Sequence, residues 1–485
     1  MKKNFALVLD RYDGITKKAA DMLAGTISSY LGYDVLPVLT YDKMPECMLS
    51  ERTVIAMGCV HTHPILEKCS QNGLIAVPTE AEGYSVYVGN SPLADDSEIV
   101  LIGANDENGV LYGCADFCNN YISILNDNGY IFETAHYDRI FDKDLVPYSV
   151  RTSPEIPVRA IWTWGHMIYD YRGFFENMAR LRLNEAVIWN DACPINAKDV
   201  VEYAHSLGIK IVWGFSWGWD QSSKLENVVA QSGDRLIREI KEKAIATFEN
   251  EYKGYGDGIY FQSFTEICKD TVNGKSVAAE VTRLVNETAG ALFLRYPDLH
   301  IQFGLHATSV NTQTQIIAGI DPRVYIVWED CGAFPYAYAS NVTEKFDETL
   351  EFTEKLLTLR GDKERFGAVL KGLVCLDWHR FVHFSNSYVM GEHSREFVLK
   401  RAEEKKRLWK TVTAGWLRNA ELARKTVEVI AKKANKPILE MLVEDGCFEA
   451  KIPMPVALFA EMFWSSSEKI DVMMERVSKY PCVSL

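Results

Sequence analysis

The chain has 485 residues, of which 47% are hydrophobic and 24% are charged, and its formal net charge at pH 7 is −14. This length predicts two or three domains, and it leaves room for a barrel of about 250 residues. The acidic balance argues against nucleic acid or an anionic membrane as the main partner, because both attract a basic surface.

The N-terminal end and the cysteines bear on the cellular compartment. The first residues, MKKNFALVLD, carry two lysines and a short apolar run that ends at Asp10, whereas a signal peptide needs an apolar run of about 7–15 residues. No other run approaches the roughly 18 apolar residues of a membrane helix. The eleven cysteines form no CxxC pair, which favours free thiols in a reducing compartment. We therefore expect a cytoplasmic protein.

Residues 1–150 predict a small α/β domain with a mixed sheet. Apolar residues recur every four positions over 15–31, a spacing that predicts one buried helix face. Short runs rich in β-branched and aromatic residues predict strands at 5–10, 53–57, 84–88 and 98–102.

Part of this region resembles a known domain. The segments EGYSVYVGN (82–90) and EIVLIGANDENGVLYGCADF (98–117) are similar to the small α/β domain that precedes the catalytic barrel in family 20 hexosaminidases and family 67 α-glucuronidases. The helix there opens with glycine, apolar residues, tyrosine and glycine, as residues 109–113 do here. The resemblance implies a glycosidase barrel in the following residues; any other α/β sandwich is the alternative.

Strand and helix patterns then alternate at barrel spacing after a linker with three prolines at 146–159. Seven strand candidates predict a parallel barrel: 159–165, 185–191, 209–215, 258–264, 300–306, 324–330 and 372–378. NSYVMGE at 386–392 is the best candidate for an eighth strand. We therefore predict an α/β protein with three parts: a small N-terminal α/β domain (1–150), a central (β/α)8 TIM-like barrel (151–393) and a helical C-terminal region (394–485).

Carboxylates gather where the predicted strands end, and in such barrels the chemistry lies at that end. The stretch DGIYFQSFTEI (257–267) ends a strand with Glu266, and the sixth strand candidate ends with Glu329 and Asp330. Glycoside hydrolysis needs two carboxyl groups, one to protonate the leaving oxygen and one to activate water or attack carbon.

The family resemblance assigns roles to these acids. Family 20 enzymes end the fourth barrel strand with an Asp-Glu pair, and here the corresponding pair is Thr265 and Glu266, so only the glutamate matches. α-Glucuronidases resemble this sequence more closely, with a single glutamate after a small hydroxyl residue. The resemblance implies Glu266 as general acid and either Glu329 or Asp330 as the base of an inverting reaction.

Aromatic and polar residues at the same predicted mouth are candidates for binding substrate. Indole rings suit the C–H faces of sugars, although each tryptophan on its own is as well explained by packing in the core. Family 20 enzymes also use an arginine on the first barrel strand, which implies Arg159. The remaining candidates are Trp162, Trp164, Asn190, Asp191, Trp213, Trp217, Trp219, His306, Trp328, Asp377, Trp378 and His379.

These observations favour an exo-acting glycoside hydrolase on a short oligosaccharide, α-glucuronidase-like if the terminal sugar is a uronic acid. A β-N-acetylhexosaminidase-like hydrolase and a non-catalytic carbohydrate-binding barrel are the alternatives. We expect no cofactor and no metal, because the pairs His61/His63 and His379/His383 have no evident third ligand nearby. A homo-oligomer is left open.

Overall fold

The structure is a computed structural model, and it describes residues 5–31, 36–128, 145–190, 192–218, 225–267, 269–329, 345–373, 386–444 and 447–484. The side chains of residues 31, 225–233 and 371–373 are outside this description. Within the described residues, no helix is both long enough and apolar enough to cross a membrane.

The N-terminal domain is a six-stranded mixed sheet with helices, as the sequence predicts. Its strands are β1 (Phe5–Leu9), β2 (Val38–Thr40), β3 (Thr53–Cys59), β4 (Tyr84–Asn90), β5 (Glu98–Ala104) and β6 (Tyr148–Thr152). Its helices are α1 (Gly14–Leu31), α2 (Met48–Glu51), α3 (Pro64–Gln71), α4 (Glu107–Asp116) and α5 (Ile122–Asp127). The strand order is β2-β1-β3-β5-β4-β6, and β4 runs antiparallel to both of its neighbours.

Helix α4 begins at the segment that carries the family resemblance. Asp106 is its N-cap, and the side-chain Oδ1 accepts a hydrogen bond of 2.7 Å from the backbone N of Gly109. A Cβ added at Gly113 would lie 2.8 Å from Ile102 Cγ2. The glycine therefore allows the helix to pack closely on the sheet.

The central part is a closed barrel of eight parallel strands, which confirms the predicted fold class. The strands that follow the N-terminal domain are β7 (Val158–Trp164), β8 (Glu185–Trp189), β9 (Lys210–Ser216), β10 (Gly258–Gln262), β11 (Thr271–Val272), β12 (Lys275–Ser276), β13 (His300–Leu305), β14 (Tyr325–Trp328), β15 (Phe366–Leu373), β16 (Ile438–Val443), β17 (Ile452–Pro453) and β18 (Val483–Ser484). The barrel order is β10-β13-β14-β15-β16-β7-β8-β9, while β11 with β12 and β17 with β18 form separate two-stranded sheets.

Helices surround the barrel and extend from it toward the C-terminal end. They are α6 (Tyr171–Arg180), α7 (Ala197–His205), α8 (Leu225–Thr247), α9 (Val277–Arg295), α10 (Thr314–Ile317), α11 (Phe346–Leu357), α12 (Arg395–Leu417), α13 (Ala420–Lys433), α14 (Met454–Trp464) and α15 (Ile470–Ser478).

The eighth barrel strand is not where the sequence pattern placed it. Strand β16 closes the barrel by pairing with β15 and β7, so the barrel continues through residues that were expected to be helical. Residues 386–390 form no strand, and Glu392 makes only an isolated bridge with Asp170. The sequence of β16, ILEMLV, hides its alternation because residues on both of its faces are apolar.

The seventh barrel strand also starts earlier than predicted. Strand β15 covers 366–373, whereas the expected strand was 372–378. The strand was predicted at the apolar run GLVCLDW, but the pairing of β15 with β14 and β16 begins at Phe366 and Gly367. Residues 374–378 lie outside the described residues.

Every second side chain of a barrel strand faces the interior, and the others face the helices. The apolar interior is a separate cluster made of Trp162, Trp164, Met167, Val187, Trp189, Val212, Tyr260, Val327, Val369 and Leu442. A larger apolar cluster lies between the strands and the helices and continues into the N-terminal domain.

The N-terminal domain, the barrel and the last helices meet at a group of buried and partly buried charges that we call the domain junction (Glu82, Arg159, Arg182, Glu461 and Arg476). Arg182 forms an ion pair with Glu461 of α14 and donates a hydrogen bond of 2.9 Å to the hydroxyl of Tyr84 on β4. Arg476 of α15 donates to the other oxygen of Glu461 at 2.8 Å. The junction thereby joins all three parts of the chain.

Candidate active site

Glu329 is the centre of a buried polar cluster at the C-terminal end of the barrel strands. It follows β14 directly and is only 4% exposed. Gln262, the last residue of β10, donates from Nε2 to both carboxylate oxygens, at 2.5 and 2.6 Å. His306, which follows β13, places Nε2 at 2.8 Å from Oε2 of Glu329, and the hydroxyl of Tyr260 donates to Oε1. Three neighbouring strands therefore converge on one carboxylate.

The donors around Glu329 favour its ionised form, because each hydrogen bond to a carboxylate stabilises the charge. Burial, reinforced by the negative charge of Glu329, raises the pKa of Tyr260 well above its ordinary value. The phenol therefore keeps its proton and remains a donor to Glu329. Such an arrangement fixes the position and charge of the carboxylate before any ligand is bound.

A glycine makes room for this cluster. Gly304 lies on β13 beside Tyr260 and Glu329, and a Cβ at that position would clash with the Tyr260 hydroxyl and with Glu329 Oε1. Any side chain at 304 would displace one of the two groups. The cluster thus depends on this residue as well as on the polar side chains.

Glu266 lies at the same end of the barrel, just after β10, which is the fourth barrel strand in chain order. It ends a short 3-10 turn, Phe264–Glu266, that follows β10, and it is exposed. The preceding Thr265 is fully buried, and its Oγ1 accepts a hydrogen bond of 3.2 Å from the backbone N of His306. Its backbone carbonyl accepts hydrogen bonds from Thr308 and Ser309. The turn that carries Glu266 is therefore anchored beside the Glu329 cluster.

The predicted tryptophans separate into two groups. Trp162 and Trp164 lie in the barrel interior together with Trp189, and the ring centroids of Trp162 and Trp189 are 6.2 Å apart. Trp162 also contacts Tyr260, at 5.8 Å between ring centroids. These rings line the barrel beneath the acid cluster.

Three other tryptophans correct the prediction, because they face the helices and not the barrel opening. Trp213 packs against Tyr252, with ring centroids 5.9 Å apart. Trp217 stacks on Phe261 at 3.6 Å, and Trp328 packs against a phenylalanine of α11 at 5.2 Å. All three are fully buried. The sequence placed them correctly in or next to strands, but the alternation of the strands turns them outward.

Arg159 is a second correction, since it lies at the opposite end of the barrel from the acid cluster. It stands near the start of β7, has no exposed surface and forms a 2.7 Å ion pair with Glu82. Its other donors bond the backbone carbonyls of Ile156, Pro157 and Arg182. The guanidinium is therefore part of the domain junction and has no access to a substrate at the mouth.

The remaining candidates divide between one described residue and six that are not described. Asn190 follows β8, is 4% exposed and accepts a hydrogen bond from the Tyr388 hydroxyl. The candidates that lie outside the described residues are Asp191, Trp219, Asp330, Asp377, Trp378 and His379.

Several polar residues of the barrel interior were not among the candidates predicted from the sequence. Tyr260 and Gln262 are two positions apart on β10, so their alternation with outward apolar residues could have identified them. Glu185 on β8 and Glu440 on β16 are also buried in the interior. Glu444, which follows β16, was missed because that strand was not located.

Two of these acids differ from ordinary carboxyl groups. Burial raises the pKa of Glu185 to about 7, although the hydrogen bond of 2.8 Å from Gln302 Nε2 opposes the shift. Burial also raises the pKa of Glu440, and the charges of Glu185 and Glu329 add to this effect. Among the described residues, no group of three or more histidine, cysteine or acidic side chains is arranged to hold a metal ion.

Comparison with known proteins gives a likeness of fold. No family model matches the chain, and no curated protein matches it. A solved structure named CpGH84B has a TM-score of 0.52 at 11% identity, over 97% of this chain and 70% of that one. A GH138 enzyme targeting pectin rhamnogalacturonan II has a TM-score of 0.48 at 11% identity, over 96% of this chain.

A family 20 β-N-acetylglucosaminidase has a TM-score of 0.48 at 12% identity, over 93% of this chain and 87% of that one. The present chain spans only 51% of the GH138 chain. At 11% identity the likeness to CpGH84B shows a shared fold and no more.

Proposed function

We propose that the chain is a glycoside hydrolase that acts on the terminal sugar of a short oligosaccharide. The observation that carries the proposal is the buried Glu329 carboxylate, held by Gln262, His306 and Tyr260 at the C-terminal end of the strands, with Glu266 on the neighbouring rim. The shared fold with CpGH84B, whose name places it among glycoside hydrolases, supports the same class.

In this proposal the two acids have different roles because their surroundings differ. Glu266 is exposed and accessible to a leaving group, which suits a general acid that exchanges its proton with solvent. Glu329 is fixed and surrounded by donors, which suits the group that stays ionised and acts on water or on the anomeric carbon. Asp330 remains the alternative for the second role.

The nature of the terminal sugar is a finer part of the proposal. Position 265 has no carboxylate that could orient an acetamido group. It holds a buried threonine, whose hydroxyl accepts a hydrogen bond from the backbone N of His306. This disfavours a β-N-acetylhexosaminidase of the family 20 kind. A uronic acid would need a cation other than Arg159; Arg172, in the first turn of α6, is about half exposed and lies 3.0 Å from Glu392.

The test uses matched aryl glycosides and oligosaccharides of neutral sugars, N-acetylhexosamines and uronic acids. Glu266→Gln should lower kcat by about 10²–10⁴ on oligosaccharides and much less on aryl glycosides, whose leaving groups need little protonation. Glu329→Gln should lower kcat on both kinds of substrate. Glu242→Gln, an exposed change on α8, is the matched control and should leave both rates unaltered.

A non-catalytic sugar-binding barrel is the second candidate. One observation favours it: both oxygens of Glu329 are already engaged by neighbouring side chains. If no glycoside is hydrolysed while a sugar quenches the fluorescence of the interior tryptophans, this candidate replaces the hydrolase. Equal rates for the wild type, Glu266→Gln and Glu329→Gln would likewise exclude the two acids from catalysis.

A further inference from the structure

Glu440 is a carboxyl group in the middle of the barrel wall with no evident structural role. It lies on β16, and its register neighbours are Val369 on β15 and Ala160 on β7. The residue has no exposed surface. Both register neighbours are apolar, so neither of them offers Glu440 a polar side chain.

Within the described part of the chain, neither carboxyl oxygen of Glu440 has a hydrogen-bond partner, and no lysine or arginine forms an ion pair with it. An ionised carboxylate without donors or a counter-charge is far more costly to bury than a protonated one. The surroundings of Glu440 therefore favour the neutral acid on geometry alone.

The groups that face Glu440 from the other strands strengthen this conclusion. The negative charges of Glu185 on β8 and Glu329 after β14 disfavour a charge on Glu440, and an ionised Glu440 would itself act on the phenol of Tyr260 on β10. His300 on β13 is half-buried, and desolvation lowers its pKa to about 4, which leaves it neutral at pH 7. Lys210, at the start of β9, is exposed and acts on Glu185.

We propose that Glu440 carries a proton at neutral pH and is a positioning residue for Glu329. Glu329 is then the charged partner of Tyr260 at the C-terminal end of the barrel strands. A second negative charge beneath Tyr260 would repel the Glu329 carboxylate and weaken its contacts with Gln262 and His306. The positioning role rests on the proposed function of Glu329, whereas the bound proton does not. The raised pKa of Glu440, caused first by burial, agrees with this assignment.

The bound proton is tested by the pH dependence of unfolding. Unfolding exposes Glu440, which then releases its proton at any pH above the ordinary pKa of a glutamate side chain. The Glu440→Gln variant has no such proton to release. The ratio of the unfolding constants, wild type over Glu440→Gln, should rise by up to about tenfold per pH unit from about pH 5 upward. Glu351→Gln, an exposed change on α11, should give a constant ratio. A constant ratio for Glu440→Gln would overturn the proposal.

A second variant guards against misfolding of the first. Glu440→Met has a similar volume and also binds no proton, so it should show the same rise with pH. The wild type should in addition show an infrared C=O band of a protonated carboxyl above about pH 7 that either variant removes. Retention of that band in both variants would assign the proton to another group.

Positioning is tested separately, by the pH profile of kcat/KM. In the wild type, ionisation of Glu440 should make kcat/KM fall at alkaline pH. In Glu440→Gln this fall should begin at a higher pH, and KM should change little. An unaltered profile combined with a rising unfolding ratio would refute the positioning role. Complete absence of hydrolysis would refute the proposed function and the positioning role together, while the unfolding ratio would still decide whether Glu440 holds a proton.

Discussion

Two regions of this molecule bury carboxyl groups equally deeply but treat them in opposite ways. At the domain junction, Glu461 lies between the guanidinium groups of Arg182 and Arg476. In the barrel interior, Glu185 accepts a hydrogen bond from an amide, and Glu440 has no hydrogen-bond partner among the residues that the structure describes. Burial alone would raise the pKa of each of these acids, and yet the outcomes diverge.

The divergence follows from the presence of cations at one site only. Although burial opposes it, the charges of Arg182 and Arg476 lower the pKa of Glu461 to about 2. The pKa of Glu185 instead rises to about 7, because burial outweighs the hydrogen bond from Gln302. Paired charges join the domains at the junction, whereas the interior holds Glu185, an acid that responds to pH in the neutral range. We infer that the junction is structural and that the interior is the region adapted for chemistry.

Removing a cation from the junction should have the largest effect on stability. Arg182→Ala leaves Glu461 buried beside a single guanidinium and also removes the donor to Tyr84. We expect the free energy of unfolding to fall by about 3–5 kcal/mol, measured by urea denaturation at neutral pH.

The exposed ion pair of Arg235 and Glu239 is the matched control. Arg235→Ala removes a guanidinium of the same kind from solvent, so it should cost less than about 1 kcal/mol. Similar losses of unfolding free energy in the two variants would show that the charges of the junction interact no more strongly than those at the surface.

Acid should weaken the junction before it affects the interior. Because the folded-state pKa of Glu461 is depressed, its contribution is complete above the unfolded value of about 4.5 and is lost as the pH falls toward about 2. The wild type should exceed Glu461→Gln in stability by roughly 3 kcal/mol near pH 6. That difference should shrink steadily with acid in parallel denaturation series. A difference independent of pH would contradict the pairing.

Filling the space beside Glu329 should lower stability less than the junction variants do, but it should lower activity more. Gly304→Ala forces either the Tyr260 hydroxyl or the Glu329 carboxylate to move, and such overpacking costs about 1–3 kcal/mol. Hydrolysis should fall in the same variant to the level of Glu329→Gln. Gly290→Ala is the control, because a Cβ there meets nothing within 4 Å on helix α9 and should stabilise by about 0.5–1 kcal/mol. Full activity in Gly304→Ala would remove the cluster from the mechanism.

Most of the contrast between the junction acids and the interior acids could not be predicted from the sequence, although the fold could. Six of the barrel strands begin within a residue of their predicted starts, because short apolar runs between helical patterns are well defined in this chain. Strand β16 was missed since ILEMLV lacks visible alternation and lies between two helices. Without that strand, neither Glu440 nor the closure of the barrel could be inferred.

The position of a residue along a strand was easier to predict than the direction of its side chain. Glu329 and His306 were expected at strand ends and lie there. Trp213 and Trp328 were expected at the mouth, but a shift of one position in the two-residue alternation turns them toward the helices. Arg159 was placed on the correct strand but at the wrong end for a substrate contact. Its pairing with Glu82 depends on a domain contact that no local pattern encodes.

Glu185→Gln should produce the smallest effect and the opposite dependence on pH. Glutamine keeps the shape of the side chain and can still accept the hydrogen bond from Gln302, so we expect stability within about 1 kcal/mol of the wild type at pH 5. The folded-state pKa of Glu185 is raised, so its contribution is complete below about pH 4.5 and is lost as the pH rises through about 7. Glu185→Gln should therefore gain on the wild type between about pH 5 and pH 7 in the same denaturation series. If it instead lost stability over that interval, Glu185 would be a paired acid like Glu461, and the distinction between the junction and the interior would fail.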